Sequence, residues 1–111
     1  MQTFQDWINK LKKSDSLIIV EGKKDKQALR KLGISNIETL NGRPTHQLIE
    51  DISSKTKKVI ILTDLDKEGK IFYHTIKHNL QKRNIKIEDG FRQFLFKKTN
   101  ISCIESLPRF L

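Results

Sequence analysis

A chain of 111 residues is long enough for one modest hydrophobic core and too short for two. Hydrophobic residues make up 36%, and no apolar run approaches the roughly 18 residues of a membrane-spanning helix, which excludes that class. The net charge of +9 favours an anionic partner, nucleic acid first, and the lone Cys103 excludes an intramolecular disulfide.

Phe4, Trp7, Ile8 and Leu11 recur at helical spacing and predict a first helix over about residues 3–12, with Phe4 and Trp7 packing it onto a sheet. This polar, amphipathic start has no apolar signal-peptide centre, so a cytoplasmic protein is expected. Residues 17–20 (LIIV) are a continuous apolar run ending at Glu21-Gly22, the pattern of a strand buried on both faces. Ala28, Leu29 and Leu32 mark a helix that stops near Gly33. Residues 37–40 give a weaker strand followed by Asn41-Gly42-Arg43-Pro44, and Leu48, Ile49 and Ile52 a short helix. The strongest strand, 59–62 (VIIL), runs into Thr63-Asp64-Leu65-Asp66. A helix over about 67–82 carries Phe72, Ile76 and Leu80 on one stripe, and residues 85–87 supply a last strand. The tail holds two short helices, around 91–96 and 104–110.

Alternating strands and helices predict an α/β fold, a four-stranded, mainly parallel sheet flanked by helices with right-handed crossovers. One domain is expected over residues 1–111, with its core at about 17–88 and a C-terminal helical extension at 90–111. Such sheets bind ligands beyond the carboxyl ends of their strands. Glu21, Gly22, Lys23, Lys24 and Asp25 follow the first strand, Asn41, Gly42 and Arg43 the second, and Asp64, Asp66, Lys67, Glu68 and Gly69 the third.

Asp64 and Asp66 are two residues apart, so in an extended segment they lie on one side, roughly 6.6 Å apart, with Leu65 turned to the core. Such a pair can share a hard cation directly or through its waters. Magnesium is held by one or two carboxylates, water and substrate phosphate rather than by a full protein cage. Glu21 joins the pair if the first and third strands are neighbours. Like charges about 4 Å apart repel by about 4 kcal/mol at a surface-like dielectric, so the cluster calls for a cation or one raised pKa. The plainer reading of the same residues is solvated loop acids, with Asp66 capping the helix that begins near Lys67.

These residues resemble the Toprim domain, shared by topoisomerases, bacterial-type primases, overcoming-lysogenization-defect nucleases, recombination-mediator proteins and the nuclease that matures 5S ribosomal RNA. The family signature is a glutamate with glycine after the first strand and an Asp-x-Asp after the third, matched here by LIIVEGKKD at 17–25 and VIILTDLDKEG at 59–69. Residues 38–42 (ETLNG) look like the middle segment of the ribosomal-RNA maturation nuclease and its small stand-alone relatives. The likeness spans roughly 17–83, and the tail after Gly90 adds nothing to it.

The resemblance implies a Rossmann-like Toprim fold and magnesium (Mg2+), or manganese, held by Asp64 and Asp66. It implies Glu21 as general acid/base and further metal ligand, and Asp25 as a second acid that supports that metal or holds another. Lys23, Asn41, Gly42, Arg43, Lys67 and Lys70 are candidate phosphate contacts. The implied function is a magnesium-dependent enzyme on nucleic-acid phosphodiesters, a nuclease of RNA or DNA. The alternative is a non-catalytic module that binds nucleic acid or a ribonucleoprotein around a structural metal. The protein is expected to stand alone, without the further domains of topoisomerases and primases.

Smaller signals weigh less. A haloacid-dehalogenase reading of Asp64-Leu65-Asp66 wants Thr where Glu68 stands, and a receiver domain wants an acid pair where Glu21-Gly22 stands. His74 and His78 have zinc-like spacing but no third ligand nearby, so a solvated face is expected. His46 reads as a loop or cap residue, and Cys103 as a small buried hydrophobe. Lys55, Lys57 and Lys58 lie at the amino end of the third strand, away from the acids.

Overall fold

The computed structural model of the protein describes residues 3–40 and 42–110, so the candidate Asn41 lies outside the described residues. A T-x-x-D start launches the first helix, α1 (Phe4–Lys13): Thr3 Oγ1 accepts from the Asp6 N–H at 3.0 Å and Asp6 answers on the Thr3 N–H. The chain then alternates through β1 (Leu17–Val20), α2 (Lys23–Lys31), β2 (Ile37–Thr39), α3 (Thr45–Lys55), β3 (Lys58–Ile61), α4 (Lys67–Gln81) and β4 (Lys86–Ile87). It ends in α5 (Gly90–Lys98) and a terminal 3-10 helix (Ile104–Phe110). Helix α2 begins directly after Gly22, ahead of its apolar stripe, which puts Lys23 and Asp25 in its first turn. It ends on Gly33 at φ +84°, with the Ile34 and Gly33 N–H groups returning to the carbonyls of Leu29 and Arg30.

The four strands are ordered β2-β1-β3-β4, and each neighbouring pair is parallel. Because strand side chains alternate between faces, LIIV feeds two cores. Ile18 and Val20, with Ile60 and Leu62, face α1, α2, α5 and the tail. Leu17 and Ile19, with Val59 and Ile61, face α3 and α4 through Leu48, Ile52, Ile76 and Leu80. The stripe on α4 is Tyr73, Ile76 and Leu80, with Phe72 only half-buried. No helix among the described residues is long and apolar enough to cross a membrane.

Two elements outside the strand–helix alternation close the first face. Trp7 is fully buried and donates its indole N–H to the carbonyl of Phe91 at 2.8 Å, tying α1 to α5. The tail buries Ile101, Ile104 and Leu107 against the same cluster and lies along α2. It is therefore part of the sheet's cover rather than an appendage.

That packing sets two mutants apart. Leu107 is 0% exposed, and Leu107→Ala is expected to cost about 2–5 kcal/mol in urea unfolding. Phe110 is 55% exposed, and Phe110→Ala should stay within about 0.5 kcal/mol of wild type. Similar unfolding midpoints for the two variants would show that the tail does not dock as described.

Candidate active site

The topology decides which acids meet. Strand β2 lies on one side of β1 and β3 on the other, so chain order reverses between β1 and β3, the crevice where open α/β sheets take ligands. Ile19 pairs with Ile61, and the Leu62 N–H still reaches the Ile19 carbonyl at 2.8 Å. Two residues further along, Glu21 is level with Thr63 and beside Asp64.

The loop after β3 is stitched at both ends. The Thr63 hydroxyl donates to the Gly69 carbonyl at 2.8 Å, and Asp66 caps α4 by accepting the Gly69 N–H at 2.8 Å. The plain reading of Asp66 as a helix cap thus holds, and the cap uses Oδ1 only. Leu65 turns into the first core cluster, as its place between the acids predicts. Asp64 Oδ1 accepts the Ile104 N–H at 2.9 Å, and the Leu65 N–H reaches the Ser102 carbonyl at 2.8 Å, so the tail holds this loop. Asp25, 8% exposed, accepts the Gly22 N–H at 3.1 Å and fixes the turn that presents Glu21.

Burial first, then the charges of Asp64, Asp25 and Asp66, push the Glu21 carboxyl from 4.5 up to about 7, against the pull of the Asp64 backbone N–H. Burial and Asp64 likewise raise Asp25, which the Gly22 N–H opposes. Glu21 Oε1 is buried and has no hydrogen-bond partner among the described residues. An orphaned carboxylate oxygen amid three further acids fits a hard cation. Among the described residues, no three His, Cys, Asp or Glu side chains already close on a common point. An ion here would take most of its ligands from water and phosphate, which is how magnesium is ordinarily held.

The other candidates divide. Lys67 and Lys70 stand exposed on the first turn of α4, beside the acids. Lys23 is exposed too and lines a groove of about 320 Å³ with Lys26, Arg30 and Thr39. Gly42 occupies a turn at φ +76°. Arg43 is occupied within the protein: its guanidinium bonds Asp51, Glu38 and the carbonyls of Thr39 and Leu40. It clamps the turn between β2 and α3. His46 sits in the first turn of α3, and His74 and His78 are exposed.

Two features escaped the sequence reading. Arg92 on α5 donates to the carbonyls of Asp64 at 3.0 Å and Thr63 at 3.4 Å, and its guanidinium lies 4.2 Å from the Tyr73 ring centroid. Those acceptors are backbone carbonyls, which any residue supplies, so no pattern announces the contact. Cys103 is half-buried rather than enclosed, on a groove of about 590 Å³ between α2 and the terminal 3-10 helix, with Lys24, Lys31, Glu105 and Arg109. Burial and Asp64 raise its thiol, which favours the protonated form.

The sequence profile of the Toprim domain matches residues 15–89. A UPF0292 protein of Methanocaldococcus jannaschii is 35% identical over 102 residues, covering 88% of this chain and 80% of that protein. A UPF0292 protein of Pyrococcus abyssi is 36% identical over 107 residues, covering 94% and 80%. A solved structure of an Aquifex aeolicus protein is similar at a TM-score of 0.89 and 36% identity, across 96% of this chain and 99% of that one.

The raised Glu21 pKa has a consequence for metal-free protein. A carboxyl that titrates higher in the folded than in the unfolded state binds its proton preferentially in the fold. Stability therefore falls as pH rises from 4.5 to about 7. Denaturant titrations across that window should show the fall in wild type. Glu21→Gln should flatten most of it and be the more stable protein above about pH 7. Parallel curves for the two proteins would mean that Glu21 titrates as an ordinary surface acid.

Proposed function

Since the chain belongs to the Toprim domain family, a family of metal-dependent nucleic-acid enzymes, we propose that it is a magnesium-dependent nuclease acting on RNA or DNA phosphodiesters. The observation that carries this reading is the buried, unpartnered Oε1 of the half-buried Glu21 carboxyl, beside Asp64 and Asp66 at the β1–β3 crevice. Asp64 and Asp66, with Glu21 as a further ligand, are the residues that would hold the metal. When bound, magnesium supplies charge neutralisation at the phosphoryl oxygens and orients the reacting groups.

Glu21 takes a proton from the attacking oxygen or returns one to the leaving oxygen. A carboxyl near 7 serves either direction at neutral pH, and a bound cation would bring it lower. Asp25 holds the Gly22 turn and so keeps Glu21 aimed at the crevice. Lys67, Lys70 and Lys23 supply positive charge for phosphates on either side of the scissile bond. With +9 overall, the rest of the surface adds to that attraction.

One observation favours a non-catalytic binding module instead: Oδ1 of Asp64 and Oδ1 of Asp66 each already accept a backbone N–H. A single survey separates the two readings. Labelled RNA and DNA pools with magnesium or manganese should be cut by wild type. Glu21→Gln should be slower by about 10²–10⁴-fold with little change in binding. Millimolar magnesium should raise the melting temperature, and the Asp64→Asn, Asp66→Asn double variant should lose that shift, Asn retaining the α4 cap. Tight nucleic-acid binding with no cleavage of any pool would establish the binding module. Undiminished cleavage by Glu21→Gln would remove its catalytic assignment.

A further inference from the structure

Helices α4 and α5 cover opposite faces of the sheet, and where they approach each other at its edge, next to the Asp64 carbonyl that Arg92 holds, they leave a pocket of about 240 Å³ lined by Lys70, Tyr73, His74, Arg92, Gln93 and Phe96. The helical repeat explains the lining: Lys70, Tyr73 and His74 are i, i+3 and i+4 on one helix, and Arg92 and Phe96 are i and i+4 on the other. We propose that this pocket seats one unpaired nucleobase by stacking, so that the substrate enters the crevice as a single strand. The inference rests on the nucleic-acid reading above and adds the strandedness of the substrate.

Phe96 is the centre of the case. It is 58% exposed on a helix that buries Phe91, Phe94 and Leu95, so it contributes little to the core. An exposed aromatic ring with a lysine ammonium beside it is the form of a base-stacking platform, not of an apolar protein contact. The Lys70 ammonium lies 5.2 Å from the Phe96 centroid, Arg92 and His74 line the same walls, and no acid does. The volume falls below the roughly 300–1,000 Å³ of pockets that enclose drug-sized ligands, and suits one planar ring system.

The far wall is rigid. Tyr73 bonds Asp89 through its hydroxyl, takes a bond from Lys77 at 3.2 Å, and is covered by Arg92. Arg92 links this pocket to the acids, since the same guanidinium lines the pocket and holds the Asp64 carbonyl. A base seated there leaves its neighbouring phosphate within the reach of Lys70 and Lys67. Bases in a duplex present no free face to such a seat, whereas those of a single strand do, whatever their identity.

The test uses the full chain, a labelled oligothymidine, the same strand with abasic positions, and a blunt duplex of equal length, read by fluorescence anisotropy. Phe96→Ala should weaken binding of the oligothymidine by about 5- to 150-fold, the span reported by loss of one stacked base. Duplex binding and the salt slope should not move, and Phe96→Trp should keep single-strand affinity. The abasic strand should bind wild type and Phe96→Ala equally, a comparison that needs no mutant stability argument. Unchanged oligothymidine affinity in Phe96→Ala, or an equal loss on strand and duplex, overturns the seat and leaves the nuclease reading standing. Failure of wild type to bind any of the three ligands at low salt overturns both.

Discussion

The site hangs on one backbone atom, the carbonyl oxygen of Asp64. The first turn of α4 packs against it so closely that a Cβ at position 69 would come within 2.0 Å, which is why a glycine stands there. Arg92 donates to the same oxygen at 3.0 Å. With the carbonyl fixed between a helix and a guanidinium, the Asp64 side chain stands at the β1–β3 crevice, where the Ile104 N–H holds its Oδ1. Asp66, Leu65 and Thr63 then take places dictated by the same short loop. A displaced carbonyl would move both aspartates and the helix start together.

Gathering Glu21, Asp25, Asp64 and Asp66 works against folding. Desolvation and mutual repulsion raise Glu21 and Asp25, so the native state tolerates the cluster partly by binding protons. Backbone N–H groups of Gly22, Gly69 and Ile104 offset the remaining charge on Asp25, Asp66 and Asp64. Glu21 Oε1 has no such donor among the described residues. The fold is thus strained electrostatically at one atom, as functional sites often are.

Much of this was legible in the sequence, for a physical reason. Short, β-branched apolar runs at 17–20 and 59–62 are the pattern of strands covered on both sides, and the acids that follow such strands lie at the carboxyl edge. The β1–β3 adjacency, left open by the sequence, was settled by packing. Arg43 shows the opposite failure. Its position after a strand resembles a phosphate contact, but Glu38 and Asp51, brought within 3.0 and 2.8 Å, capture it first. The tail was opaque because its contacts to the site run through backbone groups of Ser102 and Ile104, and main-chain groups leave no signature in side-chain pattern.

A site of four acids in a chain of net charge +9 poses a question of sign. Left alone, the crevice repels the phosphates that the surface around it attracts. Lys67 and Lys70 stand at the rim, on the helix whose N-cap is Asp66, so the field changes sign within one turn of α4. A polyanion drawn to that rim meets repulsion only at its last step, over the acids themselves. A divalent ion held by Asp64, Asp66 and Glu21 would supply the positive charge that offsets that repulsion, since each anion improves the site for the cation. Metal and nucleic acid should therefore favour each other's binding, each tightening the other by the same factor, as linkage requires. The acids alone would repel a polyanion, and the lysines alone would hold it without placing it over the crevice. Under the proposed function, placing the two at one strand edge would let a small basic domain both attract a phosphodiester and position it.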